Sequence, residues 1–331
     1  MRAVVARRYG SPEVLTVEDV PVPVPGPCQV QVRVRAAAVN PADLRTLSGV
    51  LRELTPLTFP HVPGSDFAGT VTAVGPDVTR FAVGDEVFGV GLPRATAAMA
   101  AMLSTPPSLT TGAMAEYAVF EADTPALARR PVALVPEHAA GLPIPGLTAL
   151  AVLREGGFEA GERVLVSGAA GGVGGALVPL LAAAGVHVIA TALPEDDDHV
   201  RGLGAAELVD YRTLDTATET LRRHPDGVDA VVNLALPEPE LGRVVKPGGR
   251  LLNVAFPSPD PADFARADLT VRTVYGTARP GDLDLLAARA VAGGLPDTTG
   301  RRYPLEEAPR AYSDLVHTHV RGKLVVLVDP R

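Results

Sequence analysis

The stretch Arg163–Ala192, RVLVSGAAGGVGGALVPLLAAAGVHVIATA, restricts the fold of this chain more than any other. Val164–Val166 is a short apolar run of strand type, Leu177–Ala184 is apolar and helix-compatible, and His187–Ala192 is a second β-branched run. Gly168 to Gly175, between the first strand and the helix, holds five glycines and two alanines. The order is strand, glycine turn, helix, strand. A nucleotide diphosphate needs such a turn because the backbone must bend sharply, approach the phosphates without Cβ atoms in the way, and present helical N–H groups with the positive end of the helix dipole. Aligned to the GxGxxG spacing, the chain offers Ala169, Gly171 and Gly174. Strands on both sides give the spacing its weight; the alternative is a tight turn in an α/β protein that binds nothing. The expected diphosphate-binding residues are Ala169, Ala170, Gly171, Gly172, Val173 and Gly174.

The same alternation continues downstream. Strands are expected at Arg163–Gly168, His187–Ala192, Leu208–Tyr211, Asp229–Asn233, Arg250–Ala255 and Val271–Gly276, with helices between most of them. That repetition predicts a doubly wound parallel sheet. Pro179 falls inside the helix after the glycine turn and should kink it or shift its register. Residues 1–122 read differently, as short strands broken by proline and glycine, the pattern of a small irregular β-barrel. The Met-containing segment 93–112, uncharged after Arg94, interrupts them, either as an exposed insertion or as an adaptable apolar lid. Tyr303–Val328 should add a helix and a last strand, Lys323–Val328, to the first domain. The expected organisation is therefore 1–124, 125–277, and a returning segment 278–331.

Composition narrows the function. A chain of 331 residues suits about two domains, and a 47% hydrophobic content supplies a large core. Thirty Lys and Arg against 38 Asp and Glu leave a formal charge of −8, and the arginine pairs are isolated. That balance argues against a nucleic-acid groove or an anionic membrane surface. The single cysteine, Cys28, excludes an intrachain disulfide and a multi-cysteine zinc site. With no signal-peptide pattern and no apolar run near the roughly 18 residues of a membrane span, a soluble cytoplasmic protein is expected.

The motifs YGSPEVL (Tyr9–Leu15), AAAVNPADLRTLSG (Ala36–Gly49), FPHVPGSDFAGTVTAVG (Phe59–Gly75), FAVGDEVFG (Phe81–Gly89), GAMAEYAV (Gly112–Val119), AGERVLVSGAAGGVG (Ala160–Gly174), LGAAELVDYR (Leu203–Arg212) and YPLEEAPRAY (Tyr303–Tyr312) run almost the length of the chain. With them it resembles the zinc-independent quinone oxidoreductase branch of the medium-chain dehydrogenase/reductase superfamily. The resemblance implies an α/β protein with a GroES-like β-barrel catalytic domain, a Rossmann domain, a substrate cleft and commonly a homodimer. In the zinc-dependent relatives a cysteine stands where Asp43 is and a histidine where Ser65 is. Without a Lewis acid an alkoxide is hard to stabilise, so hydride addition to a quinone or to the C=C bond of an enone is favoured over alcohol oxidation.

An NAD site places an acidic residue about twenty positions after the glycines. That count reaches Thr191 and Ala192, so the ribose 2′ position is open to a phosphate, and NADPH is expected ahead of NADH. In the resembling NADPH enzymes the tyrosine of a YR pair, here Tyr211-Arg212, borders that phosphate. The acidic run Glu195–Asp198 is either a solvated helix start or a group that repels NADPH. Asn233, Leu234, Ala255 and Phe256 follow two strands at their carboxyl ends and are expected near the nicotinamide. Lys323 is expected either at a coenzyme phosphate or in a solvated turn. The expected catalytic residues are Asn40, Asp43 and Arg45. The resemblance puts Asn40 near the nicotinamide; Arg45 either holds an enolate oxygen, a carboxylate or a phosphate, or pairs with Asp43. His61 reads as a packing residue or a proton relay. Reductase chemistry on a larger natural product, a non-redox cyclase and a non-catalytic coenzyme binder are the alternatives on this fold.

Overall fold

The computed structural model describes residues 1–53, 56–91, 112–235, 239–255, 260, 266 and 268–329. Phe256 and nearly all of the 93–112 segment lie outside the described residues. The chain forms two compact units: Met1–Ile144 with Thr277–Gly293 and Asp297–Arg331, and Pro145–Gly276 with Gly294–Pro296.

The first unit carries β1 (Arg2–Ala6), β2 (Leu15–Asp19), β3 (Gln29–Ala38), β4 (Asp66–Val74), β5 (Glu86–Val90), β6 (Tyr117–Glu121) and β7 (Leu127–Arg129). The second carries β8 (Arg163–Ser167), β9 (His187–Thr191), β10 (Glu207–Val209), β11 (Val228–Asn233), β12 (Val245–Asn253) and β13 (Thr270–Thr273). Two last strands, β14 (Thr299–Pro304) and β15 (Lys323–Leu327), belong to the first unit.

The first unit is organised by β3. Along one edge it pairs antiparallel with β4; residues 29–33 pair with β6, and Ala36–Ala38 pair with β15. Register shifts between Gln31 and Val32 and between Val34 and Ala36 increase the local twist that curls such a sheet. β14 and β15 run parallel, joined by the crossover helix Ala308–His317, whose Ala308, Ala311 and Tyr312 are buried. Phe67 of β4 and Phe120 of β6 stack with centroids 3.9 Å apart in the core between these elements.

The second unit has strand order β10-β9-β8-β11-β12-β13, with every pair parallel. All six expected strands are present, in the order of a dinucleotide-binding sheet. Helices on both faces leave the central strands no solvent side, and Val164–Val166, Val188–Ala190 and Ala230–Val232 are fully buried. β10 ends sooner than expected, at Val209. Asp210 explains this: its carboxylate accepts from the Arg212 N–H at 3.0 Å and the Thr213 hydroxyl at 2.6 Å, folding the chain into a turn. The helix Gly172–Ala183 runs continuously through Pro179. Proline removes one N–H, so the Gly175 carbonyl four positions earlier loses its helical donor while the helix carries on. Among the described residues no helix is long and apolar enough to cross a membrane.

His61 is a packing residue of the first unit: it bridges Ala6 through backbone hydrogen bonds, is 4% exposed, and its Nδ1 has no hydrogen-bond partner among the described residues. Burial pushes its imidazole down from 6.5 to about 4. The unfolded chain therefore takes up this proton first. Stability present above pH 6.5 should fall as the pH drops toward 4, at about 1.4 kcal/mol per pH unit. Urea unfolding of the wild type and His61→Leu at several pH values checks this: the variant's acid limb should be shallower by that amount, whatever its absolute stability.

Candidate active site

In the first unit, three distant segments meet at a buried polar cluster. The helix Pro41–Ser48 begins at Asn40, and Asp43 in its first turn reaches back to accept the Asn40 backbone N–H at 2.9 Å. Acidic residues are favoured at that position because they answer a free helical N–H group. The other Asp43 oxygen accepts the Ser65 hydroxyl at 2.6 Å. Asp66, the first residue of β4, accepts from Asn40 Nδ2 at 3.0 Å and from the Ile144 N–H at 3.1 Å. Lys323, the first residue of β15, donates to Asn40 Oδ1 at 2.7 Å and to the Val39 carbonyl at 2.9 Å, with Asp66 at 3.7 Å. Asn40, Asp43, Ser65, Asp66 and Lys323 are all buried.

The structure thus brings Asn40, Asp43 and Lys323 together and puts Arg45, half-buried, on the same helix one turn on. Lys323 is in no solvated turn; its ammonium is turned into the protein. The Asn40 amide is engaged through both its oxygen and its nitrogen. Ser65 and Asp66 close the cluster, as does Tyr312, whose phenol is pushed well above 10 by burial and then by the negative charge of Asp43. Asp43 and Ser65 do not fit a zinc ion. A carboxylate and a hydroxyl that already satisfy each other are not the paired thiolate and imidazole donors such a site uses.

The glycine turn of the second unit is built by close approach. Gly168 has φ +72°, and Gly171 donates to its carbonyl at 3.2 Å. Gly171, at φ −80°, caps the helix Gly172–Ala183. The first-turn N–H groups of Gly172, Val173 and Gly174 have no carbonyl available within the helix. A Cβ on Gly174 would lie 2.2 Å from the Ala169 carbonyl oxygen, whereas one on Gly171 would meet only the Gly168 oxygen, at 3.4 Å. Gly174 is thus required for packing the helix on the turn, and Gly171 keeps one side of the turn open.

The strand ends around this turn are tied by side chains. The Thr191 hydroxyl, at the end of β9, accepts the Gly168 N–H at 3.0 Å. Ser167 donates to Asn233 Oδ1 at 2.6 Å, Asn233 donates to Asn253 Oδ1 at 2.9 Å, and Asn253 donates to the Ala255 carbonyl at 2.9 Å. Leu234 N–H returns to the Ser167 hydroxyl at 3.2 Å. Thr191, Asn233, Leu234 and Ala255 therefore gather with the turn at the carboxyl ends of the strands. Sequence reading missed Ser167 and Asn253, although each is the polar last residue of an apolar strand, which was the available signal. Tyr211 and Arg212 stand apart from that chain of hydrogen bonds, in the turn after β10. Both are exposed, and Arg212 pairs with Glu195 at 3.5 Å. Burial raises the Tyr211 phenol and Arg212 lowers it, with Asp196, Glu195 and Asp210 adding to the rise. Two carboxylates of the acidic run, Glu195 and Asp196, thus act on Tyr211.

Known proteins share this architecture. The family model for the alcohol dehydrogenase GroES-like domain matches residues 26–131, and that for zinc-binding dehydrogenase matches 203–326. A quinone oxidoreductase of Sus scrofa is 32% identical over 349 residues, spanning 99% of this chain and 98% of that protein. A solved quinone oxidoreductase from Coxiella burnetii superposes with a TM-score of 0.86 at 27% identity, covering 99% of both chains. A solved NAD-dependent alcohol dehydrogenase gives 0.85 at 35% identity, over 99% of this chain and 100% of that one. A mycobacterial protein solved with NADPH gives 0.82 at 27%, over 99% and 100%.

Two outcomes test this geometry. Gly174→Ala should destabilise the protein by about 1–3 kcal/mol, because backbone must shift, while Gly171→Ala should stay within about 0.5 kcal/mol; denaturant midpoints separate them. Lys323→Met strips a buried carboxylate of its cation and should cost about 3–5 kcal/mol by the same measurement.

Proposed function

The chain belongs to the quinone oxidoreductase branch of the medium-chain dehydrogenase/reductase superfamily, and from that premise we propose that it is a zinc-independent, NADPH-dependent reductase of quinones or of the C=C bond of α,β-unsaturated carbonyl compounds. The observation that carries this reading is the open side at Gly171. There a parallel sheet of dinucleotide-binding order meets a helix N-terminus with no side chain between the backbone and an incoming diphosphate.

In this reading Gly172, Val173 and Gly174 hold the diphosphate through their N–H groups, with Ala169 and Ala170 shaping the turn. Thr191 fixes the turn by holding Gly168. Asn233, Leu234 and Ala255 border the nicotinamide. Bound coenzyme supplies the hydride. Asn40, Asp43 and Lys323 hold the segment that presents Arg45, and they act through its position. Arg45 cannot readily give up a proton, since its pKa exceeds about 12; it holds the acceptor oxygen as negative charge develops there. The proton comes from solvent or from a substrate group.

Coenzyme choice falls to Tyr211 and Arg212 against Glu195. A 2′-phosphate must draw the Arg212 guanidinium from its partner and tolerate the carboxylates that act on Tyr211. Turnover measured with a panel of quinones and enones tests the function: consumption of NADPH ahead of NADH is expected, and no turnover with either coenzyme defeats it. Arg212→Ala should lower kcat/KM for NADPH about tenfold, the loss of one charge-assisted hydrogen bond, and leave NADH unchanged. Glu195→Gln should shift the preference further toward NADPH.

A further inference from the structure

We propose that His187, Glu207 and His224 form a binding site for a divalent metal ion of the Zn2+ class, at the end of the second unit's sheet opposite the glycine turn. His187 and Glu207 open the adjacent parallel strands β9 and β10, and His224 directly follows the helix Thr216–Arg223. Thr191, which holds the turn, is the last residue of the strand that His187 begins. None of the three residues enters the hydride-transfer reading above.

The donors converge. His187 Nε2 lies 2.7 Å and His224 Nε2 3.0 Å from the same oxygen, Glu207 Oε1, and the three ligand atoms all lie within 4.8 Å of one another. The two rings are inclined at 72° with centroids 6.3 Å apart, so the nitrogens approach from different directions. Tetrahedral zinc with bonds of about 2.0–2.2 Å sets its ligand atoms roughly 3.3–3.5 Å from each other. The two nitrogen-to-oxygen spacings need to open by under about an ångström to admit it. With the proton on Nδ1, each imidazole turns an Nε2 lone pair toward the ion. Two imidazoles and one carboxylate select a borderline transition ion over Mg2+ or Ca2+, which prefer all-oxygen shells.

The surrounding charges are mixed, since Arg163 lines the same cavity and Arg223 stands behind Glu207, so the ligand carboxylate itself must supply the attraction for a cation. Arg223 approaches the other Glu207 oxygen at 3.6 Å, but it also donates to Glu219 at 2.7 Å and to the Leu208 carbonyl at 2.8 Å. It shares Glu219 with Arg222, and its hold on Glu207 leaves Oε1 as the ligand oxygen, the orienting role that outer groups play at metal sites. The carbonyl end of the helix Thr216–Arg223, with its negative partial charge, lies at His224. All three donors line one open cavity of about 660 Å³ with Gly185, Gly204 and Ala206, so water can fill the fourth position. A bound ion would tie two strands to a helix and stabilise the folded state by linkage.

The test uses untagged protein, stripped with chelator, dialysed, and titrated calorimetrically with Zn2+ and separately with Mg2+. One equivalent of Zn2+ and no Mg2+ is expected. His187→Ala and His224→Ala should each weaken Zn2+ by at least about tenfold, the lower bound seen even for groups that only orient ligands. Zn2+ should raise the unfolding temperature of the wild type but not of the double variant. His187 is half-exposed, so the single variant at that position keeps the test informative if the double variant does not fold. No uptake by the wild type overturns the proposal; so does equal affinity in wild type and His187→Ala, which would place the ion elsewhere.

Discussion

The contact between Gly174 and the Ala169 carbonyl is the constraint on which the second unit turns. Any side chain at 174 would overlap that oxygen, so only glycine lets the helix Gly172–Ala183 sit this close to the end of β8. Because it does, the helix N-terminus opens where the strands end, and its amides point to the same place as Thr191, Asn233 and Ala255. The polar ties among Ser167, Asn233 and Asn253 then hold β8, β11 and β12 at a common level. A buried polar side chain is costly unless it is hydrogen-bonded, and these satisfy one another in sequence. The floor of the site is therefore rigid, and its open side is set by the missing Cβ of Gly171.

The first unit solves a different problem. Its candidate residues come from positions 40–45, 65–66 and 323, and only the pairing of β3 with both β4 and β15 brings them together. Lys323 closes the arrangement by donating to the backbone before the helix and to the side chain that begins it. A lysine buried this deeply is tolerated because its charge faces Asp66 and its hydrogens have acceptors. Asn40, Asp43 and Lys323 are spent on each other, which fixes the start of the helix that carries Arg45.

What the sequence made legible follows from how local each signal is. The six parallel strands and the glycine turn could be read because apolar runs and glycine spacing are properties of neighbouring residues. The end of β10 was placed two residues late because the Asp210 side chain, capturing Arg212 and Thr213, overrides an apolar run. Pro179 marked a kink or register shift, and the helix carries on through it. The partners of Lys323 and the pairing of Arg212 with Glu195 were illegible for another reason: they join residues 283 and 17 positions apart. Such contacts exist only after strand pairing has been decided.

The two sets of metal-relevant residues in this chain carry one argument between them. At Asp43 and Ser65 the donors are hard oxygens that already answer a helix N–H and each other, so an ion arriving there would have to break a helix cap to bind. At His187, Glu207 and His224 the donors are imidazoles converging on an oxygen they overcrowd, and an ion there would replace two hydrogen bonds on one atom with three ligand bonds. Affinity for zinc depends on donor type and on what the donors must give up, and on both counts the proposed site at His187, Glu207 and His224 is better suited than Asp43 and Ser65.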